Sequence, residues 1–337
     1  MALTVCITGG NRSIGFETAK QLAEDGEVGK VIITSRSQEK AEAAIASLTG
    51  EFGLAAEKFD HVVLDLESKA SVLAAVEALP KVDRIVLNAG GYYRGMHEAG
   101  VTKTFAATLG HTVLVDGLIA AGKIGKGSRV IYSVTEGLRA VWSFAGVLPS
   151  ALCGVGCGMF GPSSVEPAIT KHSCNFPAFK AGIHEYSKGK LVGHLYFSQM
   201  AIEHPDIYFL SVSPGGAATE FGKELDFPLN LVLTKCACLL TLIGNYQPVQ
   251  KSANRYVVTV TGEEKYPSGN VAMTRKQCGC LPLVISGKMA DNTSFQSYFK
   301  NAKLKQKAYS TVRDIASKWS SEAPPGAEMS DRGDLAN

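Results

Sequence analysis

Val5-Cys6-Ile7-Thr8-Gly9-Gly10-Asn11-Arg12-Ser13-Ile14-Gly15-Phe16-Glu17-Thr18-Ala19-Lys20-Gln21-Leu22-Ala23 changes character halfway along. Its first residues, with Leu3 and Thr4 ahead of them, form the short apolar run of a buried strand. Its last residues continue as a helix, and a glycine-rich turn joins the two. Such a turn is an anion site, because free backbone N–H groups and the positive end of the helix dipole converge there. A pyrophosphate is the expected occupant, held by Thr8, Gly9, Asn11, Arg12, Ser13, Ile14 and Gly15.

The same alternation runs outward along the chain. Strands are expected at Val31-Ile32-Ile33-Thr34, His61-Val62-Val63-Leu64-Asp65-Leu66, Arg84-Ile85-Val86-Leu87 and Arg129-Val130-Ile131-Tyr132. Further on come Ile207-Tyr208-Phe209-Leu210-Ser211-Val212 and, seventh, Ser268-Gly269-Asn270-Val271-Ala272. Helices are expected over 105–121 and 303–319, and Arg255-Tyr256-Val257-Val258-Thr259-Val260 fits helix or strand. Strands alternating with helices imply an α/β fold with a doubly wound, mostly parallel sheet. One domain would span residues 1–322, followed by a polar, disordered tail over 323–337. No internal repeat is visible.

Composition narrows the class. The 337 residues are 45% hydrophobic, ample for a core, and only 19% charged, with a formal net charge of +3. That balance provides no broad basic field for nucleic acid, and the Lys300, Lys303, Lys305, Lys307 run reads as one solvated helix face. Met1 leads directly into the first strand, which leaves no room for a leader peptide and points to a reducing, cytoplasmic location. The eight cysteines are then expected as thiols. Cys153/Cys157, Cys236/Cys238 and Cys278/Cys280 lack the usual zinc spacing, so no metal is expected. Residues 227–243 are apolar but shorter than a membrane span, and read as a helix covering the site, with attachment to one membrane surface as the alternative.

Chemistry is expected at Tyr186 and Lys190, near the start of a helix that buries Leu191, Val192, Leu195, Tyr196 and Met200. Four residues apart, the two side chains share one helix face. A cation about 5 Å from a phenol, at an effective dielectric of about 20, favours the phenolate by roughly 3 kcal/mol, or about two pKa units. That brings the phenol within reach of acid/base work at neutral pH.

In chain order the sequence presents the glycine turn, Asn88-Ala89-Gly90 after a strand, Ser133-Val134-Thr135, the Tyr186/Lys190 pair and then Pro214-Gly215. That succession resembles the short-chain dehydrogenase/reductase family over residues 3–219. The resemblance implies a Rossmann-like fold and an NADP(H)-dependent oxidoreductase acting on a small-molecule carbonyl or alcohol. Tyr186 would be the general acid/base, and Lys190 would lower its pKa and hold the ribose. Thr135, with Ser133 as the alternative, would orient the substrate oxygen. Asn88, Ala89 and Gly90 would pass close to the cofactor, Asp65 would touch the adenine, Pro214 and Gly215 would cover the nicotinamide, and Thr219 would contact its carboxamide or the pyrophosphate. Ser35 and Arg36 stand where an acidic residue would bind the ribose hydroxyls of NAD, so Arg36 and Arg12 together favour a 2′-phosphate by at least tenfold.

Three positions depart from the family pattern. Ser13 replaces the middle glycine, Ala107 an active-site Asn, with Thr108 as a possible stand-in, and Val134 the first of two serines. His111 reads as a packed helix histidine. About forty extra residues, roughly 141–178, precede Tyr186 and read as a substrate lid, as in carbonyl reductases and light-dependent protochlorophyllide reductases, and 220–250 would complete the pocket. The rival readings are a protochlorophyllide-reductase-like C=C reductase and a cofactor-binding regulator without turnover. Monomer and homodimer both remain open.

Overall fold

The structure is a computed structural model that describes residues 2–140, 162–171, 178–217, 247–274, 288–294 and 297–320, without the side chains of 139–140 and 178–184. Eight strands form one sheet: β1 (Leu3–Ile7), β2 (Val28–Ser35), β3 (Phe59–Val63), β4 (Arg84–Leu87), β5 (Arg129–Ser133), β6 (Tyr208–Val212), β7 (Val271–Thr274) and β8 (Met289–Asp291). Their spatial order is β3-β2-β1-β4-β5-β6-β7-β8. All neighbours are parallel except β7 and β8. The order reverses between β1 and β4, and in such sheets the crevice at that switch point, beyond the strands' carboxyl ends, receives the ligand.

One face of the sheet carries α1 (Ser13–Glu24), α2 (Gln38–Gly50) and α8 (Val249–Val260) over Val5, Ile7, Ile33, Val86 and Ile131. The other carries α3 (Lys69–Ala78), α4 (Lys103–Ala120) and α7 (Ala178–Glu203) over Cys6, Ile32, Ile85, Leu87 and Tyr132. Odd and even strand positions thus feed two cores, as parallel strands buried on both faces require. The short helices α5 (Gly137–Ala140), α6 (Val165–Thr170) and α9 (Ser297–Lys300) precede the long α10 (Ala302–Lys318), which lies on α7. Tyr309 of α10 packs on Tyr196 with ring centroids 5.3 Å apart, and Lys69 Nζ donates to Ala316 O and Trp319 O at the end of α10. With α10 outside it, α7 is buried from residue 189 to 200.

Several expectations are corrected. Tyr186 and Lys190 lie inside α7, not near its start, because the helix begins at Ala178. β3 stops at Val63, opposite Ser35 at the end of β2, and the last backbone bond between them runs from Leu64 N to Ser35 O at 2.8 Å. β7 starts at Val271: Ser268 and Gly269 are in a turn, where Gly269 has φ +82° and Ser268 Oγ accepts from Phe209 N. Residues 255–260 are helical, and β8 was unforeseen, being only three residues long. Most of the expected lid (141–161 and 172–177), residues 218–246 with Thr219, the paired cysteines and the tail from 321 lie outside the described residues. Cys6 is buried, and burial pushes its thiol up to about 12. Among the described residues no helix is long and apolar enough to cross a membrane, and no group of three or more potential ligands could hold a metal ion.

Two histidines are sealed in the core. His194 Nδ1 shares a hydrogen with Ser211 Oγ at 2.9 Å, and burial, with Lys305 nearby, pushes its pKa down to about 3. His111 is likewise held well below its ordinary value by burial and by the Lys190 charge. Both stay neutral in the folded state while the unfolded chain takes up protons below its ordinary histidine pKa. For His194 stability is therefore complete above about pH 6.5 and falls as pH drops towards 3, by about 1.4 kcal/mol per pH unit, and His111 acts in the same direction. Urea unfolding at pH 7 and pH 5 should show a loss of roughly 2 kcal/mol from His194, with the slope reduced in His194→Gln. A flat profile would mean that these imidazoles are not buried neutral.

Candidate functional site

The site grows from the contact between the turns that follow β1 and β4. Thr8 Oγ1 accepts from Ala89 N at 3.0 Å and shares a hydrogen with His111 Nε2 at 2.8 Å, while Asn88 Nδ2 donates to Thr8 O at 3.1 Å. The turns are packed so closely that a Cβ on Gly15 would lie 2.1 Å from Gly9 O and 2.8 Å from Asn88 Nδ2. Gly10 N donates to Thr34 O at 3.2 Å, which brings the end of β2 to the same place. Side chains cap α2, α3 and α10, through Ser37, Ser68 and Asn301. At α1 the capping position is Arg12, whose side chain makes no cap, and the first turn carries no acidic residue. Its leading N–H groups are therefore left for an anion.

Ser13 opens α1 with φ +54°, the one non-glycine residue with positive φ among the described residues. Its departure from the family pattern thus falls at a conformation that favours glycine. Ser13, Arg12 and Arg36 are exposed, and Ser35 is buried. The half-buried Asp65 turns the chain into α3, its Oδ1 accepting from Glu67 N at 3.0 Å.

Lys190 is the focus of the other half of the site. It is 5% exposed, its Nζ 4.9 Å from the centre of the Tyr132 ring and 5.8 Å from that of Tyr186. A Cβ placed on Gly90 would sit 3.7 Å from both Lys190 Nζ and Ala107 Cβ, so the lysine reaches the β4 turn across from the small side chain. Burial pushes the Lys190 pKa down to about 7. The charge expected to ease ionisation of the phenol is therefore itself only partly held at neutral pH in the ligand-free protein. Thr108, the possible stand-in at Ala107, is committed elsewhere, sharing a hydrogen with Tyr132 Oη at 2.9 Å.

Ser133 and Thr135 diverge. Ser133 Oγ is buried and bonded to Tyr256 Oη at 2.6 Å, under α8. Thr135 is partly exposed beyond the end of β5, its Oγ1 accepting from Gly137 N at 3.1 Å. Pro214 and Gly215 follow β6, and Gln247 Nε2 donates to Pro214 O at 2.7 Å. Behind them lies a buried ion pair, Glu136 with Arg255. Glu136, Arg255, Gln247 and Tyr132 all escaped the sequence reading. Their roles come from partners scores of residues away, and a heptad-scale pattern carries no signal of that. A groove of about 440 Å³ between Val63, Ala74 and Pro80 lies at the β3 edge and includes none of these groups.

Comparison with known proteins bears on the sequence pattern and the fold. The sequence pattern of the short chain dehydrogenase family matches residues 3–113. A 3-keto-steroid reductase (erg27) of Schizosaccharomyces pombe is 40% identical over 98 residues, 26% of this chain and 29% of that protein. Human retinol dehydrogenase 13 is 36% identical over 140 residues, 38% of this chain and 40% of that protein. The matched stretches thus span less than half of these relatives. An uncharacterized protein from Mycobacterium Paratuberculosis superposes with a TM-score of 0.62 at 18% identity, over 94% of this chain and 93% of its own. Salutaridine reductase from Papaver somniferum gives 0.53 at 18% identity, over 80% and 99%. At those identities the structural likeness speaks for the fold.

The two turn residues should respond oppositely. Ser13→Gly removes the left-handed strain and is expected to stabilise by about 1 kcal/mol, read as a higher urea midpoint. Gly15→Ala forces a methyl group onto Gly9 O and should cost several times as much, about 3 kcal/mol or more. A stable, fully folded Gly15→Ala protein would show that the turns are not packed as described.

Proposed function

We propose, from the premise that this chain belongs to the short-chain dehydrogenase/reductase family, that it is an NADPH-dependent oxidoreductase of small carbonyl or alcohol compounds. The family uses nicotinamide cofactors. A nicotinamide bound here would supply the hydride exchanged with the carbonyl carbon. The fit rests on the uncapped start of α1, the Gly9/Gly15 contact that no side chain could enter, and Gly90 open beside Lys190. The pyrophosphate would lie on Gly9, Asn11, Ser13, Ile14 and Gly15. Asn88, Ala89 and Gly90 would line the ribose, Asp65 the adenine, and Pro214, Gly215 and Thr219 the nicotinamide end. Arg12 and Arg36, with the buried Ser35 in place of a carboxylate, favour a 2′-phosphate and hence NADP(H) over NAD(H).

The observation that carries the reading is Lys190 lying between the Tyr186 ring and the Gly90 turn, in a helix interior that holds both side chains on one face. Tyr186 Oη gives its proton to the carbonyl oxygen during reduction and takes it back during oxidation. Thr135, partly exposed at the end of β5, presents the hydroxyl that orients that oxygen; Ser133 is occupied with Tyr256. Lys190 favours the tyrosinate and, once an anionic cofactor is beside it, regains the charge that burial had made costly. Ala107 and the commitment of Thr108 to Tyr132 favour one alternative, a cofactor-binding regulator without turnover.

Three measurements test the reading, and the first separates it from the regulator. NADPH consumption across a panel of aldehydes, ketones and quinones should fall at least 100-fold in Tyr186→Phe, about the range of general acid/base catalysis, with NADPH affinity little changed. NADPH binding without consumption of any panel member, alike in both proteins, supports the regulator. Arg36→Ala should reduce the preference for NADPH over NADH about tenfold; equal preference in wild type would remove the case for the 2′-phosphate. Finally, binding at pH 7 should take up roughly half a proton as Lys190 recharges, read by calorimetry in buffers of different ionisation enthalpy and abolished in Lys190→Met.

A further inference from the structure

The turn 213–216 is held from behind by α8 and by the residue that follows it across the sheet. Arg255 of α8 is 6% exposed and Glu136, next to Thr135, is 5% exposed. Arg255 Nη1 donates to Ser213 O at 2.8 Å and lies 3.4 Å from Glu136 Oε1, while its Nη2 donates to Thr274 Oγ1 at 2.9 Å. Glu136 Oε1 in turn accepts from Thr274 N at 2.9 Å and from Thr274 Oγ1 at 2.8 Å. The carboxyl ends of β5, β6 and β7 are thus joined through one guanidinium and one carboxylate. Gly215, at φ +79°, rests directly on this group: a Cβ there would lie 2.9 Å from Arg255 Nη1 and 2.8 Å from Gln247 Nε2. Gln247 closes the turn from its other side, Nε2 donating to Pro214 O at 2.7 Å and its backbone N to Gly216 O at 2.8 Å.

We infer that Arg255 and Glu136 are positioning residues of the redox site: the buried pair sets where the 213–216 turn, and the nicotinamide ring beneath it, stands relative to Thr135. The inference rests on the proposed cofactor site. Its physical basis is that a planar guanidinium offers donors in fixed directions. One such group can therefore fix the distance between two loops beyond the last backbone bonds at their base, Val134 N to Val212 O and Ser213 N to Ala272 O, both 2.9 Å. An apolar core would bind these strands together as firmly, but would leave the turn free to shift along them. A buried ion pair confers position in this way while adding little net stability.

Removing one charge alone takes from the other the opposite charge beside it, so the test uses the double variant Arg255→Met with Glu136→Leu, alongside Arg255→Lys. Hydrogen exchange at residues 213–216 is measured in the ligand-free proteins, and the emission of bound NADPH reports the surroundings of the nicotinamide without turnover. The double variant should fold with a melting temperature near wild type and bind NADPH within about threefold of wild type, since the α1 turn is untouched. Exchange at 213–216 should rise at least tenfold, the NADPH emission shift should fall by half or more, and kcat should drop at least tenfold. Arg255→Lys should recover part of each. A double variant matching wild type in exchange, emission and kcat would overturn the inference, as would changes that merely follow a fall in melting temperature. If wild type bound no dinucleotide, the site and the inference would both fall. If Tyr186→Phe kept full turnover, the acid/base reading alone would fall, and exchange and emission would still decide the role of the pair.

Discussion

Two chain turns approach each other here more closely than side chains permit, and the rest of the molecule is arranged around that contact. Gly9 and Gly15 lie against Asn88 and Ala89, with the Thr8 hydroxyl between them taking a backbone hydrogen bond from one turn and an imidazole contact from α4. Because β1 and β4 are adjacent at the point where the strand order reverses, the contact falls at the sheet's carboxyl edge. The helices that follow both turns therefore point away from one crevice. Every other group in the site reaches that crevice from an element whose position the contact helps determine.

Charge burial is the second constraint. Lys190 is removed from water, and its contacts include two aromatic faces, so burial depresses its pKa to about 7. An ammonium placed this way is poised to respond to an arriving anion more strongly than an exposed one would. Glu136 and Arg255 show a different solution: opposite charges, hydrogen-bonded through Thr274, neutralise each other inside the protein. The first arrangement leaves a charge free to act on a ligand, and the second commits both charges to geometry.

Individual residues show how far local pattern reaches. The β4 boundaries, Arg84–Leu87, coincide with those read from the sequence, because the short apolar run Ile85-Val86-Leu87 is closed off by Asp83 and Arg84 before it and Asn88 after it. β3 and β7 were misplaced by up to three residues, since where a strand ends depends on where its neighbour ends. Strand alternation puts residues 133 and 135 on one face, so it could not separate Ser133 from Thr135; the end of β5 at Ser133 does, and the partner that occupies Ser133, Tyr256, is 123 residues away. Tyr186 and Lys190 were legible as an i,i+4 pair. The depth at which Lys190 is buried was not, for it depends on Tyr132 of β5 and the Gly90 turn, which come from other parts of the chain.

Local sequence by itself determined the strand–turn–helix opening, the alternation that makes the sheet parallel, and the types of residue available for chemistry, because period and turn composition act within a few residues. Tertiary structure alone decided which of those residues meet. It turned Ser13 into a strained residue, tied Thr108 to Tyr132 and Ser133 to Tyr256, and brought Arg255 behind the turn after β6. The physical reason is that burial and hydrogen-bond partnership are properties of surroundings assembled from distant segments, and no stretch of chain carries its surroundings with it.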